Sequence, residues 1–515
     1  MNLHDELVTL SGIPWAIPQR PAPHNGASLT RERAHPAPPL DYLIAGCGTA
    51  LTALVFCAVK PAERHWFIVP VAVCGIVAGV DVVRWLRGRL DLFDPRTLIA
   101  SVALYGFFVA PLLNVYWDAF GVGDLPFWGD WRPWLGAMAC LNAMGLCAFR
   151  FAHNVLFAQT GPCLQRWEIN QRRPYPFFAF GVLISVAGAT AFLWQLNGVS
   201  GILRAFESNP DAFAGKGWLL VFAWPTAVLS FIAVVYIVTI RQEETRGHRT
   251  LAIALLILIA AGTTHFVLVG SYGSRGSTVW ALFWMFGIVH FRIRKLPNKM
   301  AVVALAFLIA FMYFYGFYKE KKSTALEILR APSLWVNPEG YQRNLTFLLL
   351  GDLARSDSDA FILRNLVSTP DDYDYRWGLT YASGFTVLIP KNLWPDRPEV
   401  RVDAGSEALW GKATQLRSSR MYGLGGEAML NFGPWGVVPM FAVYGALVGW
   451  YRRKLASWNG MDARMFLAPF FASILLRGLM YDSDVLLFSV ITEASFIILV
   501  LSLASKRIPR VLSAK

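Results

Sequence analysis

Apolar runs near the length of a membrane crossing recur along almost the whole chain, and they constrain its fold more than any motif. They lie at 42–59, 66–83, 98–116, 134–149, 177–196, 218–240, 251–270, 277–291, 301–318, 428–450, 465–480 and 485–504. That makes about twelve segments, each close to the roughly 20 residues a membrane helix requires. Composition agrees. Hydrophobic residues are 55% of the chain and charged residues 16%, where a soluble chain carries about a quarter charged. The 20 Trp and 36 Phe suit the aromatic belts of bilayer interfaces. The expected fold is an all-α integral membrane protein of about twelve transmembrane helices with one large external loop.

The basic residues test this count. Arg84, Arg87, Arg89 and Arg96 lie between the second and third runs, and Arg150, Arg166, Arg172 and Arg173 between the fourth and fifth. Arg241, Arg246 and Arg249 follow the sixth, Arg292, Arg294, Lys295 and Lys299 the eighth, Arg452, Arg453 and Lys454 the tenth, and Lys506, Arg507 and Arg510 the twelfth. All fall on one side if the N-terminus is inside. Two loops on the other side carry mostly acids: Asp118, Asp124 and Asp130 in one, Asp482 and Asp484 in the other. This is the positive-inside pattern. It also accounts for the net charge of +13 through anionic lipids rather than nucleic acid.

Residues 1–40 are Pro-rich and polar and read as a disordered cytoplasmic tail; residues 506–515 read as a second tail. Helices one to nine occupy 41–318, the loop 319–427, and helices ten to twelve 428–505. None of the six Cys residues lies in an external loop and no CxxC occurs, so neither a disulfide framework nor a zinc site is expected.

The loop is too long for a simple connection, and such length is usually functional. Its apolar stretches 344–350 and 379–389 are too short to cross a bilayer and read as helices at the interface or dipping into a cavity. Pro390, Pro395 and Pro398 hold 391–397 extended or turning. Its cations include Arg376, Lys391, Arg397, Arg401, Lys412, Arg417 and Arg420, roughly balanced by acids. They form either a solvated surface of mixed sign or an anion site, since guanidinium offers a fork of donors matched to phosphate. Lys391, Arg397 and Arg401 sit beside Trp394, a wall suited to a sugar or prenyl diphosphate. Arg275, in the turn SYGSRGS, is either a phosphate ligand at a helix start or an interfacial side chain. Arg477, near the end of the eleventh run, is functional by default for an ionisable group in a span, or a structural partner of Asp482 or Asp484.

GxxxxGK[ST] is missing, so no Walker-type nucleotide site is expected. No His lies in the loop; an external imidazole base is available only from His65 or His265. The DSD at Asp357–Asp359 and the DDYD at Asp371–Asp374 read as turn and cap residues rather than as metal ligands. No metal or other cofactor is expected.

Four places resemble the Wzy-type oligosaccharide repeat-unit (O-antigen) polymerases of bacterial envelopes. FDPRTLIASVALYGFFVAPL (93–112) is similar to the opening of an early span, and SYGSRGS (271–277) to a G-x-R turn. GFTVLIPKNLWPDRPE (384–399) resembles a Trp-Pro segment, and GGEAMLNFGPWG (425–436) a gE…NFG segment. Lys391 stands where that family has Arg, and Arg397 where it has Lys. The resemblance implies a multi-span, GT-C-like, metal-independent glycosyltransferase of the bacterial inner membrane with both termini cytoplasmic. It implies a polyprenyl-diphosphate-linked oligosaccharide as substrate, inner-membrane lipids and a chain-length regulator as partners, and no nucleic acid. At the periplasmic face an acceptor sugar hydroxyl would attack the donor's anomeric carbon as prenyl diphosphate leaves. Charge builds on the diphosphate, so fixed cations should stabilise it; Arg275, Arg397 and Arg477 are the expected groups, with Lys391, Trp394, Arg401, Arg376, Arg417 and Arg420 around the substrate, all converging at one place. Glu427 is the candidate base, or else an acid capping the tenth helix. The alternatives are an O-antigen ligase, whose loop His is absent here, and a lipid-linked oligosaccharide transporter, which would predict inverted repeats.

Overall fold

The computed structural model describes residues 38–120, 129–158, 165–169, 174–208, 217–241, 248–270, 275–321, 344–386, 389, 393–394, 400–412, 414–416, 420–458 and 462–509. It is mostly helical. Among the described residues, eight helices are long and apolar enough to cross a membrane: Pro39–Val59, Ile68–Leu86, Pro95–Trp117, Arg132–Ala158, Pro174–Gln195, Trp218–Thr239, Asn298–Glu320 and Ser483–Ala504. Each coincides with an expected span. Helix is the economical answer in lipid because every backbone N–H and C=O is satisfied within one segment.

The other four expected spans do not reach that standard. The seventh appears as a shorter apolar helix, Ala252–Leu268, and the eleventh as Ala468–Arg477. The eighth, Arg275–Ile288, runs into a π-helical turn at Val289–Ile293. The tenth is broken. Gly433 takes φ +73, a left-handed conformation open to Gly, and Pro434 then starts a new turn. Ala428 therefore belongs to a separate helix, Gly423–Phe432, and the next begins at Val437.

The Val437–Ser457 helix lies along Arg132–Ala158. Gly445 and Gly449 face the backbone of Phe149 and His153 with no room for a Cβ. This is a G-x-x-x-G contact, in which two small residues one turn apart let helices approach closely.

Ion pairs tie together the end of the bundle that carries the basic clusters. Asp41 takes Arg87 at 2.5 Å and Arg89 at 3.0 Å. Asp81 takes Arg96 and Arg150, each at 2.9 Å. Asp94 takes Arg452 Nε at 2.9 Å beside His153. The stretch expected as a C-terminal tail begins as a strand instead: Ser505–Pro509 pairs antiparallel with Gln165–Ile169. The pairing satisfies backbone groups where the chain leaves its last helix, and Arg507 stacks over Trp167. The first helix starts at Pro39, two residues inside the stretch expected as the N-terminal tail; residues 1–37 lie outside the described residues, as do 322–343 of the loop.

The described part of the loop is not a solvated excursion. The Phe347–Asp352 π-helix and the helices Ser356–Ser368, Leu379–Thr386 and Val400–Trp410 fold back onto the bundle. Ala360, Phe361, Leu366 and Leu409 share one hydrophobic core with Met138, Met429 and Phe441.

Candidate functional site

The Gly423–Phe432 helix organises the end of the bundle opposite the basic clusters. It is buried along most of its length. Its glycines serve close packing: a Cβ on Gly426 would stand 2.6 Å from Tyr422 Cβ and 2.9 Å from Asp359 Oδ1. Glu427, 3% exposed, does not cap the helix expected to follow it. Its Oε1 accepts from Thr380 Oγ1 at 2.8 Å and from Ser483 Oγ at 2.6 Å, and its Oε2 accepts from Ser483 N at 2.8 Å. It therefore caps the final Ser483–Ala504 helix. Asp482 returns the favour: its Oδ1 accepts from Tyr422 N at 2.9 Å and Gly423 N at 2.8 Å. Each acid thus satisfies the start of the other's helix, where free N–H groups need acceptors.

Asn431, one turn after Glu427, fixes the neighbouring loop. Its Nδ2 donates to Thr380 Oγ1 at 2.6 Å and to Glu427 O at 2.8 Å, while its Oδ1 accepts from Gly378 N at 2.9 Å. These bonds hold a turn in which Trp377 takes φ +46 and Gly378 φ +92.

Arg401 bridges the acids. Its Nε donates to Asp484 Oδ2 at 2.9 Å, and its Nη1 lies 3.4 Å from Asp482 Oδ2 and donates to Arg420 O at 2.9 Å. Its Nη2 makes no hydrogen bond among the described residues. Arg420 lies 3.5 Å from Asp357. Asp357 and Asp359 are buried in the first turn of Ser356–Ser368. Burial raises Asp359 well above the usual carboxylate range. Burial, with the charge of Glu427 next, pushes Asp482 up to about 8. Glu427 is raised as well, by burial, against the pull of its Ser483 and Thr380 donors. Such a pair shares protons as a unit. Among the described residues Asp482 Oδ2 has no hydrogen-bond donor, whereas Glu427 is occupied on both oxygens.

The helices Arg275–Ile288 and Ala468–Arg477 pack together as a second wall. Arg275 pairs with Asp352. Arg477 is held not by Asp482 or Asp484, which serve Arg401, but by Glu493: Nη1 to Oε1 at 3.0 Å and Nη2 to Oε2 at 2.8 Å. The reason is geometric. A π-helical turn at Val490–Ala494 places Glu493 beside Arg477, whose guanidinium also lies 4.8 Å from the Trp280 ring. Trp280 Nε1 meets Tyr481 OH at 3.4 Å, so the 481–484 turn joins this wall to the Arg401 cluster. Glu493 lines a small cavity with His265, Ser277, Trp224 and Trp284. His265 is 4% exposed: it faces this cavity and not the external surface expected of a base.

The expected residues therefore do not all converge. Arg401, Arg420 and Glu427 meet in one cluster, whereas Arg275 and Arg477 are each paired with a separate acid, Asp352 and Glu493, on an adjoining wall. Arg376 sits apart, paired with Glu407, while its backbone N donates to Leu430 O at 3.1 Å. Trp394 is 38% exposed. Lys391, Arg397 and Arg417 lie outside the described residues. Asp371 and Asp372 form an exposed turn, and Asp374 pairs with Lys412 at 2.9 Å. Among the described residues, no group of three or more His, Cys, Asp or Glu is arranged to hold a metal ion.

Sequence reasoning missed Asp482, Asp484, Asn431 and Glu493 as site residues. One signal was present: an Asp-Ser-Asp run directly before an apolar helix marks a helix start. No family model, curated protein or solved structure matches the chain.

Proposed function

We propose that this chain is a polysaccharide polymerase of the Wzy type, a metal-independent glycosyltransferase acting at the periplasmic face of the bacterial inner membrane. It moves a growing glycan from polyprenyl diphosphate onto a lipid-linked repeat unit. The observation that supports this reading best is Arg401. It is held by Asp482 and Asp484 where the Gly423–Phe432 helix meets the start of the last span, with its Nη2 making no hydrogen bond among the described residues.

The chemistry follows from that arrangement. The acceptor hydroxyl oxygen forms a bond to the anomeric carbon. The bond from that carbon to the diphosphate oxygen breaks, and its electron pair leaves with the prenyl diphosphate. Arg401 and Arg420, with Arg275 and Arg477 on the adjoining wall, supply positive charge where the leaving group gains negative charge. The hydroxyl proton passes to the Glu427–Asp482 pair in its ionised form, at Asp482 Oδ2, which has no hydrogen-bond donor among the described residues. Burial keeps that pair close to the pH at which it can take and release a proton.

The test is a reconstituted assay with purified protein and a synthetic polyprenyl-diphosphate-linked repeat unit. The expected products are a ladder of longer glycans and free prenyl diphosphate. Arg401→Ala should lose about 10²–10³ in rate, and Arg401→Lys should recover little because the fork geometry is lost. Absence of a ladder from inserted wild-type protein overturns the reading. Transfer only to a lipid A core acceptor makes the protein a ligase.

A further inference from the structure

We propose that the turn and helix at 375–386, together with Phe432 and Trp435, form a docking face for the bilayer interface, seated in the leaflet next to the site. The inference stands on exposure and packing and does not depend on the proposed reaction.

The apolar side chains of this face are uncovered. Trp377 is 76% exposed, Leu379 58%, Phe385 66% and Trp435 84%. They belong to one structural unit. Trp377 meets Phe432 edge to face at 6.5 Å between ring centres, and Tyr381 stacks on Phe432 at 6.3 Å. Tyr375 closes against Gly433, where a Cβ would stand 3.1 Å from its ring.

The backbone presents Trp377 at a cost. A bulky residue at φ +46 is an outlier, and such strain persists only where surrounding structure enforces it. Here the enforcement comes from Trp377 N to Asn431 O at 3.0 Å and Gly378 N to Asn431 Oδ1 at 2.9 Å. The strained turn is bonded to the C-terminal end of the Gly423–Phe432 helix, and its Trp is directed away from the core.

Position identifies the partner. Leu379–Thr386 packs on the first turns of the Ser483–Ala504 span: a Cβ on Gly384 would stand 3.3 Å from Asp484 Cα and 3.4 Å from Leu487 Cδ2. A helix flush with the outermost turns of a membrane-crossing helix lies at bilayer depth. Trp435 stands two residues before the Val437–Ser457 helix. The face is thus continuous with the lipid-facing surface of the bundle. Its mix of Trp, Phe and Leu matches the interfacial zone, where amphipathic rings settle at headgroup level. A face built to stack sugars would not need Leu379 and Phe385 exposed beside its rings.

The test is photo-crosslinking in intact membranes. The full chain carries p-benzoylphenylalanine singly at Trp377, Leu379, Phe385 or Trp435, with phospholipid adducts read by mass spectrometry. Leu54, exposed on the first span, is the lipid-facing reference, and Asp374, exposed outside the patch, is the aqueous one. The expected result is lipid adduct at Trp377, Leu379, Phe385 and Trp435 at the level of Leu54, and background at Asp374. Background at the four patch positions with strong adduct at Leu54 overturns the proposal. So does crosslinking to a second copy of the chain or to glycan in place of lipid. Four separate positions keep the test readable if one variant fails to insert.

Discussion

Glu427→Ala and Glu427→Gln separate the two roles open to this carboxylate. In the native protein Glu427 accepts from Ser483 N, Ser483 Oγ and Thr380 Oγ1. Alanine strands the Ser483 amide, which costs about 1–3 kcal/mol as a buried unsatisfied donor. The two hydroxyls add to that loss but can turn toward other acceptors. Removing a buried carboxylate next to Asp482 returns part of the cost. The net loss is about 2–4 kcal/mol, at the scale of a strong N-cap and its neighbours. Glutamine keeps one carbonyl for the Ser483 amide, and its NH₂ meets hydroxyls able to accept, so its loss stays within about 1 kcal/mol. Amide hydrogen exchange in nanodiscs reads this locally. At 1.36 kcal/mol per decade, the Ser483 amide of the alanine variant should exchange about 30- to 1,000-fold faster, and that of the glutamine variant less than about tenfold faster. If the alanine variant exchanges like wild type, or if both variants lose protection equally, the reciprocal capping is wrong. In the transfer assay, Glu427→Gln should lose less rate than Asp482→Asn, whose loss should reach about 10²-fold or more if Asp482 takes the proton.

Asp482 also carries a pH signature. Its proton is held in the folded protein up to about pH 8, against 3.8 ordinarily, so the folded state binds more protons than the unfolded one between those values. Stability should therefore fall as pH rises from about 4 to 8, by at most about 1.36 kcal/mol per unit, and thermal unfolding of Asp482→Asn should show a flatter profile over that window. Glu493→Gln should leave Arg477 buried without a counter-charge and cost about 3–5 kcal/mol; in thermal unfolding the double variant with Arg477→Gln should lose less than the sum of the single variants, and simple additivity would refute the coupling. Chain extension should persist in EDTA; loss restored by a divalent ion would refute metal independence and turn attention to Asp371, Asp372 and Asp374. Cysteine at Asp374 should label with an impermeant thiol reagent in intact spheroplasts and cysteine at Arg294 only after lysis; the reverse would invert the topology and move the site to the cytoplasm.

Hydropathy alone determined that this chain is a bundle of membrane-crossing helices, because lipid leaves the backbone few other options. It located eight long apolar helices to within a few residues at most ends, from Pro39–Val59 to Ser483–Ala504. It did not determine where an apolar run stops being one helix. The 428–450 run reads as continuous, but Gly433 and Pro434 divide it, and only then does Glu427 fall within a separate buried helix. Nor did spacing reveal partners. Arg401 and Asp484 are bonded across 83 positions of sequence, and Arg452 and Asp94 across 358. Hydropathy places Arg477 near the end of one run and Glu493 in the middle of the next; the packing of the two helices, with the π-helical turn at Val490–Ala494, brings them together. Local sequence sets which segments bury their backbone as helix, since that depends on hydropathy a few residues at a time. Which charges neutralise one another depends on how those helices pack, and packing answers to the whole chain.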